Sequence, residues 1–469
     1  MSLVPRPPSA VHELPAPLSP VLEDVVWPAL PSAPAMDLLT VLYQLEHSQW
    51  WPAAEIRRQQ FNQLELLLGH ASETVPFYRE RFRGLGLRLD RRLTATTWSG
   101  LPILTRREVQ EAGQRICSER VPASHGSIGT SASSGSTGEP VTTHKTKLVQ
   151  FFLNAFALRE ELWHGRDPRG KLAVIRGRSG GAMFSPAGLR HETWGEPVAA
   201  VFPTGPLVEL DVLAPVELQV EWLSRERPDY LLTLPSNLLS IARHCLARGM
   251  RMPPLKQART FAETVDDEMR ALCREVWSAE IVDGYSSAET GPIAFQCPGH
   301  AHYHVQSEAI LVEVIGRAGR PCRAGEIGKV IVTPLHNFAM PLIRYEVGDF
   351  AEVGAPCPCG RGLPVLRRIA GRGRNRVVRP DGESEFIFIP FRAFSRVPAI
   401  VQFQVVQTAV AEVEVRMVLR RPLTAAEEDG LRDALGVLVP WARIAFVTVD
   451  EIPVAPSGKR EHFRSEVGS

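Results

Sequence analysis

The sequence predicts an α/β protein with a large N-terminal domain of layered sheets and helices at 37–370 and a small C-terminal α+β domain at 371–469. Two observations carry this. The 469 residues exceed the usual size of one folding unit. Short apolar runs alternate with amphipathic helical stretches through the middle of the chain, the pattern of a sheet covered by helices. Residues 1–36, rich in Pro, Ser and Ala, read as a flexible extended tail.

Elements follow in order. Met36–Gln49 and Ala53–Ala71 have helical periodicity, with Leu64, Leu66 and Leu67 on the expected apolar side. Thr105 stands where an N-cap should precede the charged helix that follows. Lys145–Trp163 is a further helix with Val149, Phe152, Phe156 and Leu158 facing inward. Leu172–Ile175, Val198–Phe202 and Tyr230–Leu234 read as buried strands and Leu238–Ala247 as a helix. Residues 305–353 are rich in β-branched side chains. The Gly/Arg-dense Gly371–Asp381 stretch marks a boundary. Beyond it, Ile400–Gln407 and Glu412–Leu419 form a strand pair, followed by a helix at Ala425–Val437 and a strand at Ile444–Val449.

Composition excludes several classes. Lys and Arg number 53 against 52 Asp and Glu, so the net charge of +1 gives no reason to expect nucleic acid or an anionic membrane as partner. No apolar run reaches the ~18 residues of a membrane span, and no signal-peptide pattern opens the chain. Seven cysteines in this length do not make a disulfide scaffold, so a soluble cytoplasmic protein is expected.

Ser133-Ser134-Gly135-Ser136-Thr137-Gly138-Glu139-Pro140 has the composition of a phosphate cradle. Glycine lets backbone N–H groups approach polyphosphate oxygens, and the hydroxyls add rotatable donors. It is not a Walker loop, because no Gly-Lys-Ser/Thr follows. Composition by itself favours a flexible Gly/Ser linker.

In its wider setting the loop resembles that of the adenylate-forming superfamily. Tyr285-Ser286-Ser287-Ala288-Glu289, Arg344-Tyr345-Glu346-Val347-Gly348-Asp349, Gly371-Arg372 and Pro456-Ser457-Gly458-Lys459 are similar to further motifs of that superfamily, in the same order. Within it, Val75-Pro76-Phe77-Tyr78-Arg79, Leu101-Pro102-Ile103-Leu104-Thr105, His304-Val305-Gln306-Ser307-Glu308 and Met340-Pro341-Leu342-Ile343-Arg344-Tyr345 resemble phrases of the phenylacetate–CoA ligase group, over about 46–465.

The resemblance implies ATP-dependent activation of a carboxylic acid, expected to be aromatic, to an acyl-adenylate, then thioester formation with coenzyme A. The C-terminal domain would act as a lid. Implied roles are catalysis by Lys459 and Glu289, with Glu289 holding Mg²⁺. ATP would be bound by Ser133, Ser134, Gly135, Ser136, Thr137, Gly138, Glu263, Tyr285, Ser286, Asp349 and Arg372, with Tyr285 against adenine and Asp349 on the ribose hydroxyls. Phe151, Phe152, Pro235 and Gly284 are candidates for the acid pocket, and Thr233–Asn237 and Phe261–Thr264 for the cleft walls. Three departures stand out. Glu139 replaces the usual loop lysine, Ala288 lacks a hydroxyl, and Arg374 and Asn375 alter the hinge.

Cys297, His300, His302, His304, Cys357 and Cys359 gather in two short segments, a donor set suited to structural Zn²⁺ or simply to reduced thiols beside a polar loop. The resemblance implies Cys297, His304, Cys357 and Cys359 as ligands, with His302 as substitute for His304. Two competing functions remain at this stage: loading of an acyl carrier protein's phosphopantetheine, and non-catalytic nucleotide or ligand binding on the same fold. A homodimer is kept as an option.

Overall fold

The computed structural model describes residues 16–85, 92–132, 141–177, 186–372, 376–387, 389–390, 393–394, 396–453 and 462–467. The predicted loop Ser133–Pro140, Glu139 within it, the hinge residues Arg374 and Asn375, and the Pro456–Lys459 motif lie outside them. The chain forms two compact units: 1–171, 191–207 and 283–369 in the first, and 172–190, 208–282 and 370–469 in the second.

The first unit opens on the helices Ala33–Ser48 and Ala53–Thr74. The first starts three residues before Met36, because Ser32 caps it and Pro34 fits its first turn. Leu64, Leu67 and Leu68 of the second are buried, but Leu66 is 63% exposed. Two residues along a helix is about 200° of rotation, so Leu66 cannot share the face of Leu64. Thr105 caps Arg106–Ala112 through a capping box with Glu108.

These helices cover an antiparallel array ordered Ile310–Ile315, Ile327–Pro334, Tyr345–Val353, Val365–Arg372, Tyr303–Val305, Gly291–Gln296 and Glu280–Ser287. Leu64, Tyr78, Trp98, Val305, Val332, Ile343 and Tyr345 lie in one apolar core.

Arg344 anchors one end of it. Its guanidinium meets the Glu313 carboxylate at 3.1 and 3.2 Å and donates to the carbonyls of Ser99 and Leu101. Both side chains are below 10% exposed. Removing the cation would leave Glu313 buried and unpaired, which costs about 3–5 kcal/mol. Arg344→Met should therefore lower the urea midpoint by that equivalent, and Glu313→Gln in the same background should recover part of it. Unchanged unfolding would contradict this account of Arg344.

In the second unit, Leu172–Arg176, Tyr230–Thr233 and Gln257–Phe261 are parallel neighbours, as expected for strands returning through helices. The helices Val216–Glu226, Pro235–Ala247 and Asp267–Trp277 pack on them through Trp222, Leu238, Ile241 and Trp277. C-terminally, the four-stranded sheet has the order Arg443–Thr448, Glu412–Leu419, Ile400–Ala409, Phe463–Ser465, with the helix Ala425–Gly436 against it. The paired strands and the helix of that sheet agree with expectation.

Val198–Phe202 does not. Val198–Val201 is a helical turn in which Phe202 N donates to the Val198 carbonyl. A short apolar run has no periodicity that separates strand from helix, and the Gly195–Pro197 lead-in starts a turn here.

Candidate active site and metal centre

A hairpin carries three of the candidate site residues, Gly284, Tyr285 and Glu289. The strands Glu280–Ser287 and Gly291–Gln296 are joined by a tight turn in which Ser287 Oγ accepts from Thr290 N at 3.1 Å. Their register shifts between Tyr285 and Ser286, where the partner strand carries the extra residue Ile293, and along the pleat consecutive side chains face opposite ways. Tyr285 is buried and Ser286 exposed. The Tyr285 hydroxyl donates to Asp349 Oδ2 at 2.9 Å and so fixes the orientation of that carboxylate. A Cβ placed on Gly284 would meet no atom within 4 Å, so space lies open beside the strand.

Glu289 occupies the hairpin turn and is 8% exposed. Its Oε1 pairs with Arg106 Nη1 at 3.2 Å. Lys145 reaches the same turn from the strand Thr142–Thr146, its Nζ donating to the Ala288 carbonyl at 2.7 Å. Burial lowers the pKa of the Lys145 ammonium, and the Glu289 charge opposes that shift. Neither Lys145 nor Arg106 was singled out from the sequence. They lie 143 and 183 positions from their partners, and no local spacing announces such contacts. Mg²⁺ keeps most of its waters and takes one or two protein carboxylates plus phosphate oxygens, so a single carboxylate such as that of Glu289 would suffice to hold it.

On the helix Lys147–Trp163, Phe152 stacks on His336 with centroids 4.1 Å apart, and Phe151 meets Phe152 edge-on at 5.7 Å. Desolvation pushes the His336 imidazole down to about 4, so at neutral pH this wall carries no charge. The helix sits close to the hairpin because Gly291 has no side chain: a Cβ there would stand 2.5 Å from Leu153 Cδ2.

In the second unit, Pro235 is buried at the first turn of the helix Pro235–Ala247. The Glu263 carboxylate accepts from Ser236 N at 2.8 Å and Ser236 Oγ at 3.0 Å. It therefore serves the positive end of that helix. Ala262 beside it has φ of 68°, a left-handed conformation costly for a residue with a Cβ. Arg372 ends the strand Val365–Arg372, next to Gly371 with φ of 102°.

Cys297, His304, Cys357 and Cys359 converge, their ligand atoms all within 4.8 Å of one another. Cys297 Sγ and Cys357 Sγ are 3.8 Å apart, and Cys359 Sγ lies 3.4 Å from His304 Nε2. With Zn–S of about 2.3 Å and Zn–N of about 2.0 Å, tetrahedral edges come to about 3.8 Å for S···S and about 3.5 Å for S···N, so the residues fit zinc. His304 Nδ1 faces the Leu363 carbonyl at 3.4 Å, the outer contact that leaves Nε2 for a metal. A hydrogen bond from Cys297 drives the Cys359 thiol down and raises that of Cys297, and burial raises that of Cys357. His302 points to Cys357 Sγ at 3.0 Å but is not one of the converging four.

The loop after these cysteines ties back to the first helix. Gly362 N donates to the Gln49 carbonyl at 2.8 Å, and a Cβ on Gly362 would collide with the Trp51 carbonyl at 1.7 Å. Arg361 lies over the rings of Trp50 and Trp163 at 4.9 and 4.5 Å.

Among the described residues, no helix is long and apolar enough to cross a membrane. No family model matches the chain. It is 24% identical over 341 residues to a phenylacetate–coenzyme A ligase of Pseudomonas putida, covering 69% of this chain and 72% of that one. Over 346 residues it is 24% identical to a phenylacetate–coenzyme A ligase of Thermus thermophilus, with 71% and 73% covered. A crystal structure of 2-hydroxyisobutyryl-CoA ligase in the postadenylation state shares the fold, with a TM-score of 0.71 at 18% identity and 90% and 92% of the two chains covered. The chain is thus similar in sequence to phenylacetate–coenzyme A ligases over about seven-tenths of its length and shares the fold of a 2-hydroxyisobutyryl-CoA ligase.

Proposed function

We propose that the protein is an acid–CoA ligase: it joins a carboxylic acid, aromatic by preference, to the α-phosphorus of ATP and passes the acyl group to a thiol. In the first step the carboxylate oxygen bonds to the α-phosphorus, the bond to the β-phosphate oxygen breaks, and pyrophosphate leaves. In the second the thiol sulfur attacks the acyl carbon, AMP departs, and the thiol proton is released. The observation that carries this reading is the 2.9 Å hydrogen bond between Tyr285 and Asp349, which joins two motif residues 64 positions apart next to the Glu289 hairpin.

In this reading Asp349, held by Tyr285, accepts from the ribose hydroxyls. Glu289 contributes the protein ligand to Mg²⁺, and Lys459 meets the charge that builds at the α-phosphorus. Residues 371–469 act as the lid, and Ser133–Gly138 hold phosphate. Phe151, Phe152 and Gly284 border the acid, and the neutral Phe152–His336 stack favours a flat apolar ring. Zinc at Cys297, His304, Cys357 and Cys359 is structural, since four protein ligands leave no open position. The seven free thiols suit a reducing compartment, the cytoplasm.

Free coenzyme A is the proposed acceptor; a carrier-protein phosphopantetheine offers the same thiol. Time courses of AMP release with an activated acid and either free CoA or a holo carrier separate them. Faster thioester formation with CoA is expected. Turnover with the carrier alone would move the protein to carrier loading.

A further inference from the structure

We propose that Lys145 is the cation that binds the pyrophosphate portion of ATP, acting from the strand Thr142–Thr146 where the loop residue Glu139 cannot. The assignment rests on the acid-ligase reading above.

The backbone sets the position. The strands Ile128–Ala132 and Thr142–Thr146 pair antiparallel, with Gly129 opposite Lys145, and they bracket residues 133–141 in the sequence. Lys145 thus sits three pairs along this hairpin from the Ala132–Thr142 pair that borders those residues. Its ammonium is directed to the Glu289 turn, where it donates to the Ala288 carbonyl at 2.7 Å.

Charge supplies the second argument. Glu289 is already paired with Arg106 at 3.2 Å. The Lys145 partner is a neutral carbonyl, and among the described residues no carboxylate stands in ion-pair contact with it. Lys145 thus brings to the Glu289 turn a positive charge that its carbonyl partner does not neutralise, and a divalent cation on Glu289 would add more. A polyanion next to that carboxylate relieves the excess; a monophosphate placed at the ribose does so far less. Glu139 brings a negative charge into the loop itself, so the positive charge that attracts the leaving pyrophosphate has to come from a neighbouring element. Lys145 meets that requirement, and its flexible stem lets the ammonium exchange a carbonyl for a phosphate oxygen.

Mg-ATP and AMP binding by calorimetry, together with the apparent KM for pyrophosphate in exchange, test this on the full-length protein. Lys145→Ala should weaken ATP binding and raise the pyrophosphate KM by roughly 10- to 100-fold, with AMP affinity kept within about twofold. Lys145→Arg should keep most ATP affinity, and adding Glu139→Lys to Lys145→Ala should restore part of it by returning a cation to the loop. Intact AMP binding shows that the variant is folded. ATP affinity unchanged by Lys145→Ala overturns the assignment, and so does an equal loss for ATP and AMP. Wild-type protein that binds ATP with this Lys145 dependence but exchanges pyrophosphate with no acid upholds the phosphate site and overturns the ligase reading. Wild-type protein that binds no nucleotide overturns both.

Discussion

Replacing Lys459 by alanine is expected to reduce acid-dependent ATP–pyrophosphate exchange by about 100- to 1,000-fold, the usual effect of deleting one group that stabilises developing charge. As the acid attacks, negative charge gathers on the α-phosphate oxygens and on the departing pyrophosphate. An ammonium placed there is worth more in the transition state than in the ground state, so kcat should fall more than KM rises. Thioester formation from a supplied acyl-adenylate breaks the acyl carbon–oxygen bond, releases AMP and breaks no bond at phosphorus. It is expected to stay within about tenfold of wild type. Exchange unchanged in Lys459→Ala would remove the residue from the mechanism, whatever the rest of the site does.

The second large effect concerns the Cys/His cluster. One zinc per chain is expected by elemental analysis, and stripping it should expose the thiols of Cys297, Cys357 and Cys359 to titration. Cys357→Ala should lower the midpoint of thermal unfolding by roughly 5–10 °C, because binding energy at a structural site is folding energy. The loss should reach beyond the ligands. The 357–362 loop holds Gly362 against the Gln49 carbonyl and Arg361 between Trp50 and Trp163, so loosening it releases the end of the first helix. Metal-free protein that melts with the wild type would contradict a structural role.

Local features of the fold were legible in the sequence where local chemistry decides them. Thr105 with Glu108, and the strand pair after Ile400, declare themselves through capping and β-branched residues. Val198–Val201 did not, because four apolar residues fit a helical turn as well as a strand. The metal ligands illustrate an intermediate case. The resemblance put His304 forward, with His302 as its substitute. In the fold both approach a cysteine sulfur, and His304 is the one that converges with Cys297, Cys357 and Cys359.

The candidate site could be drawn from the sequence only as far as motif order reaches. Tyr285, Asp349 and Glu289 were identified from the sequence, and the fold joins Tyr285 to Asp349 directly. Arg344, by contrast, belongs to the same motif as Asp349 but is committed to Glu313 and backbone carbonyls, a structural role that its position in the motif does not reveal. Lys145 and Arg106 were invisible for the opposite reason. They belong to no motif and acquire meaning only where the hairpin turn of Ala288 and Glu289 meets them.

The central claim is acid activation, and isotope exchange between pyrophosphate and ATP over a panel of aromatic and aliphatic acids tests it most directly. The account predicts exchange that requires Mg²⁺ and at least one aromatic acid, and that is absent without acid. ATP binding with no exchange for any acid in the panel would contradict it and leave a nucleotide-binding protein on an adenylate-forming fold.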